Sequence, residues 1–162
     1  MRKSSILLVA TFAILTLSAA TFAQGGLKSG PDSSVLRDPE LERDSFHNLE
    51  VARNYFKLKK AYVASLNRTQ EIIAGNPNFA KIDEALFIAG MSSLALSENK
   101  GKQSPSMYVS YDGTTRRQLT AEQFREMGRE YLTQLVAEHP DSTFKKQAEQ
   151  ELRSVGGPIP KQ

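Results

Sequence analysis

The sequence predicts an all-α domain in which antiparallel helix pairs stack side by side as a short α-solenoid. Three observations lead there. Apolar residues recur at helical spacing in five segments between positions 38 and 156. No segment carries an alternation strong enough to build a sheet. A pattern of small and apolar residues around Pro77 returns around Pro140.

The chain has 162 residues, enough for one domain plus processing segments. Its start, MRKSSILLVATFAILTLSAATFAQ, has the parts of an export signal. Arg2 and Lys3 form a charged region, Ile6 to Leu17 an apolar core, and Thr21-Phe22-Ala23 a small–x–small site, with cleavage expected near Ala23/Gln24. The core is short of the roughly 20 apolar residues that span a bilayer. An uncleaved anchor is the other reading of residues 1–23. Residues 24–37, QGGLKSGPDSSVLR, read as a flexible leader.

The helical domain is expected over 38–156. Asp38-Pro39-Glu40 starts the first helix: Asp caps, Pro suits the first turn, and Glu favours the positive end of the dipole. Phe46, Leu49, Ala52 and Phe56 give its stripe, and it ends at Lys59 or Lys60. The second begins near Tyr62, is lined by Leu66, Thr69, Ile72 and Ile73, and stops at Gly75 and Pro77. Asn78 is the expected cap of a third, with Ile82, Leu86, Ala89 and Leu94 on one stripe. Residues 100–119 read as an irregular ordered loop. Asp112-Gly113 is a hairpin signal there, but an isolated two-stranded ribbon is marginal in water. Thr120 and Gln123 form a capping box for the fourth helix, which carries Phe124, Met127, Tyr131, Leu135 and Val136. Pro140 ends it. Asp141-Ser142 caps the fifth, with Phe144, Ala148 and Leu152, and residues 157–162 are a tail.

The two prolines anchor an internal repeat. Ser65, Ile72 and Ile73 precede Pro77 at the offsets at which Gly128, Leu135 and Val136 precede Pro140, and Ala85 and Ala148 follow at a common offset. The small residue lets one helix approach its partner, and the apolar pair fills the space below. The proline forces the turn, and the alanine lets the next helix stack. This is the logic of tetratricopeptide repeats, in which one unit cannot bury its own apolar face.

Residues 51–96 also resemble a known family. Val51-Ala52, Tyr55, Ala61-Tyr62, Ala64, Asn67-Arg68, Ile72-Ile73, Pro77 and Glu84-Ala85-Leu86 match the carboxy-terminal repeats of the BamD-like (YfiO/ComL) outer-membrane protein assembly factors. Residues 120–155 fit the more generic repeat of that family. The chain departs from it in four ways. It has room for two or three repeats, where the family resembled has about five. It has no cysteine, whereas family members carry a lipidated one after the signal. Lys60 stands at the family's turn glycine, and Asn76 at the tyrosine before the proline.

The resemblance implies a non-catalytic scaffold or adaptor, exported to the periplasm and able to associate peripherally with the outer membrane. Its partners would be other envelope assembly proteins or unfolded outer-membrane protein clients. A general periplasmic repeat adaptor in cell-envelope maintenance or division is the alternative. The candidate partner-binding residues are Arg53, Tyr55, Tyr62, Asn67 and Arg68, of which Asn67-Arg68 falls on the family match. The competing readings are a solvated polar face for Asn67-Arg68 and core packing for the tyrosines.

Catalysis, metals and cofactors are not expected. The chain has two histidines, His47 and His139, and no metalloprotease, phosphate-loop or nucleophile-elbow motif. Nucleic-acid binding is not expected either. Two of the 21 basic residues and none of the 18 acidic ones lie in the export segment, so the mature chain is close to neutral.

Overall fold

The computed structural model describes residues 37–160. The expected export segment, nearly all of the leader and the last two residues lie outside them. The described chain is mostly helical, with five α-helices and one small sheet. The helices are α1 (Pro39–Arg53), α2 (Tyr62–Gly75), α3 (Ile82–Ser97), α4 (Ala121–Glu138) and α5 (Lys145–Ser154). Between α3 and α4 lie a 3₁₀ turn, Pro105–Met107, and two strands, β1 (Ser110–Asp112) and β2 (Thr115–Arg117). Each helix packs on its neighbours in the chain, and α3 lies between α2 and α4.

Local chemistry explains most helix ends. Asp38 accepts from the Glu40 and Leu41 amides at 2.8 and 3.4 Å, with Pro39 in the first turn. The capping box is present: Gln123 N–H donates to Thr120 Oγ1 at 3.2 Å and Thr120 N–H to Gln123 Oε1 at 2.9 Å. The first helix widens into a π-helical turn over Asn54–Lys59 and stops at Lys60, which is left-handed at φ 53°. Lys60 and Ala61 both donate to the Tyr55 carbonyl there. Glycine adopts this conformation without a Cβ clash. Lys60→Gly is therefore expected to raise stability by about 1 kcal/mol, seen as a higher thermal midpoint.

Two expected caps are corrected. Asn78 does not cap α3. Lys81 holds that position without a side-chain bond, and the Asn78 carbonyl accepts from Arg37 Nε at 2.9 Å. A turn intervenes because Phe79 must first be buried, at 1% exposure, to seal the end of α2. At α5 the cap position is Phe144, and neither Asp141 nor Ser142 holds it. Ser142 accepts from the Phe144 amide at 3.2 Å and spends its proton on Asp83, at 2.7 Å across the interface with α3.

The repeat reappears in the backbone. Asn76 and His139 end α2 and α4 with similar dihedrals, φ/ψ −141/73° and −125/66°. Their amides bond the carbonyls of Ile72 and Leu135 at 2.8 and 2.9 Å. Phe79 to Asn76 and Ser142 to His139 then both measure 3.0 Å, and Ala85 to Lys81 matches Ala148 to Phe144. Both proline turns are thus built by the same hydrogen bonds. Proline at the next position holds each preceding residue out of the helical region.

The small residues sit at close helix contacts. The fully buried Ser65 donates to the Ala52 carbonyl of α1 at 3.2 Å. Gly128 on α4 faces Gly90 and Leu94 on α3; a Cβ there would lie 2.8 Å from Leu94 Cγ and 3.0 Å from the Gly90 carbonyl oxygen. The third helix is not a single stripe. Twelve of its 16 residues are buried, which fits a helix covered on several sides. Ser92 Oγ is buried there without a partner. Ser92→Ala is expected to stabilise the fold by about 1 kcal/mol in chemical denaturation, because it removes an unmet hydroxyl and leaves no large void. Phe46, expected in the α1 stripe, is 42% exposed and touches Phe79 edge-on at a centroid distance of 4.9 Å.

The segment expected to be irregular is partly regular. β1 and β2 pair antiparallel, Ser110 with Arg117, Tyr111 with Arg116 and Asp112 with Thr115. Gly113 supplies the positive φ of 60° that the tight turn requires. The ribbon does not stand alone, because its base is fastened to the helices. Tyr108 is buried against Phe124, and its hydroxyl lies 3.0 Å from the Gln70 amide nitrogen on α2. The same nitrogen donates to the Tyr131 hydroxyl on α4 at 3.1 Å. Burial pushes the Tyr131 hydroxyl pKa up, with the Gln70 bond acting against it. Earlier in the segment, Gln103 Oε1 accepts from the Ala64 amide at 3.0 Å, capping α2 from a distance in sequence.

Candidate interaction cleft

A cleft of about 270 Å³ opens where the π-helical turn and the start of α2 meet α3 and the end of α5. Its floor is Met91, Leu94 and Ala95 of α3, which share one helix face at i, i+3 and i+4 spacing. One wall is Phe56, on the π-helical turn, with Tyr62 edge-on to it at 5.7 Å. Val155, after α5, closes the other side. Glu98, Lys100 and Glu151 form a charged rim. Glu98 pairs with Lys100, and its hydrogen bond and charge hold that ammonium above the ordinary lysine range.

The cleft suits an apolar side chain better than a reaction. Its serine hydroxyl, Ser154 Oγ, donates to the Glu151 carbonyl at 2.7 Å in its own helix, and the other hydroxyl of the lining is the Tyr62 phenol. Among the described residues no group of three His, Cys, Asp or Glu side chains could hold a metal. His47 is on α1 and His139 ends α4, so the two histidines do not share an element. No described helix is long and apolar enough to cross a membrane.

The expected partner-binding residues are dispersed. Tyr62 lines the cleft, half-buried. Arg53 is bound within the chain: its Nε and Nη2 donate to Glu84 Oε1 and Oε2, both at 2.6 Å, tying the end of α1 to the start of α3. That paired bond raises the guanidinium pKa further. Tyr55 is half-buried, with Lys59 Nζ 5.0 Å from its ring centroid. Asn67 and Arg68 are exposed on α2, and Arg68 pairs with Glu71 at 2.6 Å along the same helix. The structure therefore brings only Tyr62 of the five to the cleft. Met91, Ala95 and Val155 were not singled out by sequence. For Met91 and Ala95 the signal is the near-continuous apolarity of α3, which leaves apolar side chains beyond a single stripe.

The fold and cleft define a class: a mostly helical protein with a small, partly apolar cleft between helix ends. Comparison with protein-family models, with curated proteins and with solved structures returns no match to this chain.

Proposed function

We propose that the protein is a non-catalytic periplasmic scaffold of tetratricopeptide-like architecture that acts by protein–protein binding in outer-membrane protein assembly. The observation that carries the architecture is the duplicated proline turn, with equivalent backbone hydrogen bonds at Asn76–Ala85 and His139–Ala148. Neighbour-to-neighbour packing of the helices supports the same reading, because stacked helix pairs bury their faces on the next unit. The export signal and the resemblance of residues 51–96 to BamD-like factors support the assembly role. The cleft is the docking point in this reading. It receives an apolar side chain of a partner or client segment over Met91 and Leu94, while Glu98, Lys100 and Glu151 orient it.

A photo-crosslinking residue placed at Met91 tests the proposal in envelope preparations. Crosslinks to a β-barrel assembly component or to an unfolded barrel protein are expected, and they should weaken in an Ala95→Lys background. Crosslinks solely to other envelope proteins would favour a general periplasmic adaptor. No crosslinked species at Met91 would refute the cleft as the docking point.

A further inference from the structure

A second surface is built by residues far apart in sequence. Lys57, Leu58, Lys59 and Lys60 end the π-helical turn and are all exposed. Residues 100–103 dock against that end. Lys102 N–H donates to the Lys60 carbonyl at 2.9 Å. Gly101, at φ 96°, lies against Tyr62 so closely that a Cβ would come within 2.5 Å of the ring and 2.6 Å of the Lys60 oxygen. These contacts bring Lys100 and Lys102 to the same corner as Lys57, Lys59 and Lys60.

Four of the five lysines at this corner form no ion pair among the described residues. Arg53, Arg68, Arg125 and Arg129 each hold a carboxylate, and Lys100 holds Glu98. Among the described residues Lys57, Lys59, Lys60 and Lys102 form no ion pair, and Lys59 leans over the Tyr55 ring instead. Leu58 stands among them at 77% exposure, above Tyr111 at 68% and Met107 at 57%.

We propose that this corner docks on an anionic phospholipid bilayer, with the lysines against the headgroups and Leu58 in the interface. An apolar tip ringed by long cationic side chains matches the boundary between headgroups and acyl chains. An acidic protein segment is the competing occupant, and the residue types favour the bilayer. Lysine is a hydrated point charge that tolerates a diffuse anionic surface, whereas recognition of individual carboxylates favours the arginine fork. The arginine of this corner, Arg53, is already committed to Glu84. Beside Leu58 lies an open depression along one helix face, formed with Glu50, Arg53, Asn54 and Lys57, so the lysines there share the surface with one carboxylate and an apolar tip. The corner adjoins the cleft and shares Lys100 with it, but Lys57, Leu58, Lys59, Lys60 and Lys102 lie outside the cleft lining.

Vesicle sedimentation of the full chain tests the inference, comparing phosphatidylglycerol–phosphatidylcholine vesicles with phosphatidylcholine alone. Stronger partitioning to the anionic vesicles is expected, falling steeply as salt shortens the screening length from about 10 Å at 0.1 M to about 3 Å at 1 M. Each lysine near an anionic surface is worth about five-fold in binding. The variant with Lys57, Lys59, Lys60 and Lys102 changed to Gln should lose about ten-fold or more on the anionic vesicles. Leu58→Ala should lose about three-fold or more, and Lys145→Gln with Lys146→Gln should match wild type. Lys145 is half-buried and the other substituted side chains are exposed, so thermal melts should show all variants folded. Equal partitioning of wild type to both vesicle types overturns the proposal. So does a quadruple variant that binds like wild type, or retention of a polyglutamate peptide without retention of anionic vesicles. The Met91 crosslink is read separately, so failure of one reading leaves the other standing.

Discussion

Gly128→Leu is expected to lower the unfolding free energy by about 3 kcal/mol, seen as a lower urea midpoint at an unchanged slope. The cause is the contact between α3 and α4. A Cβ on Gly128 would lie 2.8 Å from both Leu94 Cγ and Cδ2 and 3.0 Å from the Gly90 oxygen. Leucine adds three more carbons where the first already has no room. Gly128→Ala separates the two effects in play. Alanine gains about 1 kcal/mol of helix propensity, so a net loss of about 1 kcal/mol requires the clash to cost about twice that gain. Gly90→Ala should behave alike, because its Cβ would meet Leu132 Cγ at 2.7 Å and the Gly128 oxygen at 3.2 Å. The double Gly90→Ala, Gly128→Ala variant should not be additive, since the two positions share one contact. Gly75→Ala is the control: nothing lies within 4 Å of a Cβ there, and it should be neutral or slightly stabilising. Wild-type stability in Gly128→Leu would show that α3 and α4 do not cross at this point.

Arg53→Ala is expected to cost about 2–3 kcal/mol, measured by the same titration. Glu84 is the reason. Its side chain is 12% exposed, and removing the guanidinium strands a carboxylate that water cannot reach well. The loss should fall below the 3–5 kcal/mol or so of a fully buried pair, because the Arg53 side chain is 34% exposed and water screens part of the attraction. A double-mutant cycle with Glu84→Gln isolates the pair and should return a coupling of about 1–2 kcal/mol. A coupling near zero would mean that the bidentate bond is not maintained in solution. The prediction also bears on function. Weaker partner capture by Arg53→Ala must be compared with capture by a variant of similar stability, such as Gly128→Leu, before Arg53 is assigned to a binding surface.

Much of the fold was legible because it rests on short-range chemistry. Asp38 with Pro39, and Thr120 with Gln123, satisfy helix-start amides within three residues, so the residues that make the cap are adjacent in the chain. The proline-centred repeat was legible for the same reason. Each turn is closed by bonds that reach no more than four positions back. Asn78 and Asp141-Ser142 misled because their residue types suit a cap, while the burial of Phe79 and the Ser142–Asp83 bond start each helix slightly later. Less of the candidate site was legible. Tyr62 reached the cleft, but Arg68 pairs with Glu71 at the local i, i+3 spacing, and Arg53 is drawn to Glu84, 31 positions away, which no local pattern reveals.

By itself, the sequence determined the helical class, the positions of five helices within a few residues, and the two proline turns. Those features follow from backbone propensity, side-chain caps and a period of 3.6, all readable over a few residues. Only the tertiary structure decided the rest. It turned residues 100–117 from loop into a strap and ribbon, with Gln103 capping Ala64 and Tyr108 bonding Gln70. It buried Glu84 against Arg53, and it gathered Met91, Phe56 and Val155 around one cleft. It also brought Lys102 to Lys60. Apart from the pairing within the ribbon, each of these joins residues more than 30 positions apart. Their meeting depends on how whole helices pack, and no periodicity within a single segment records it.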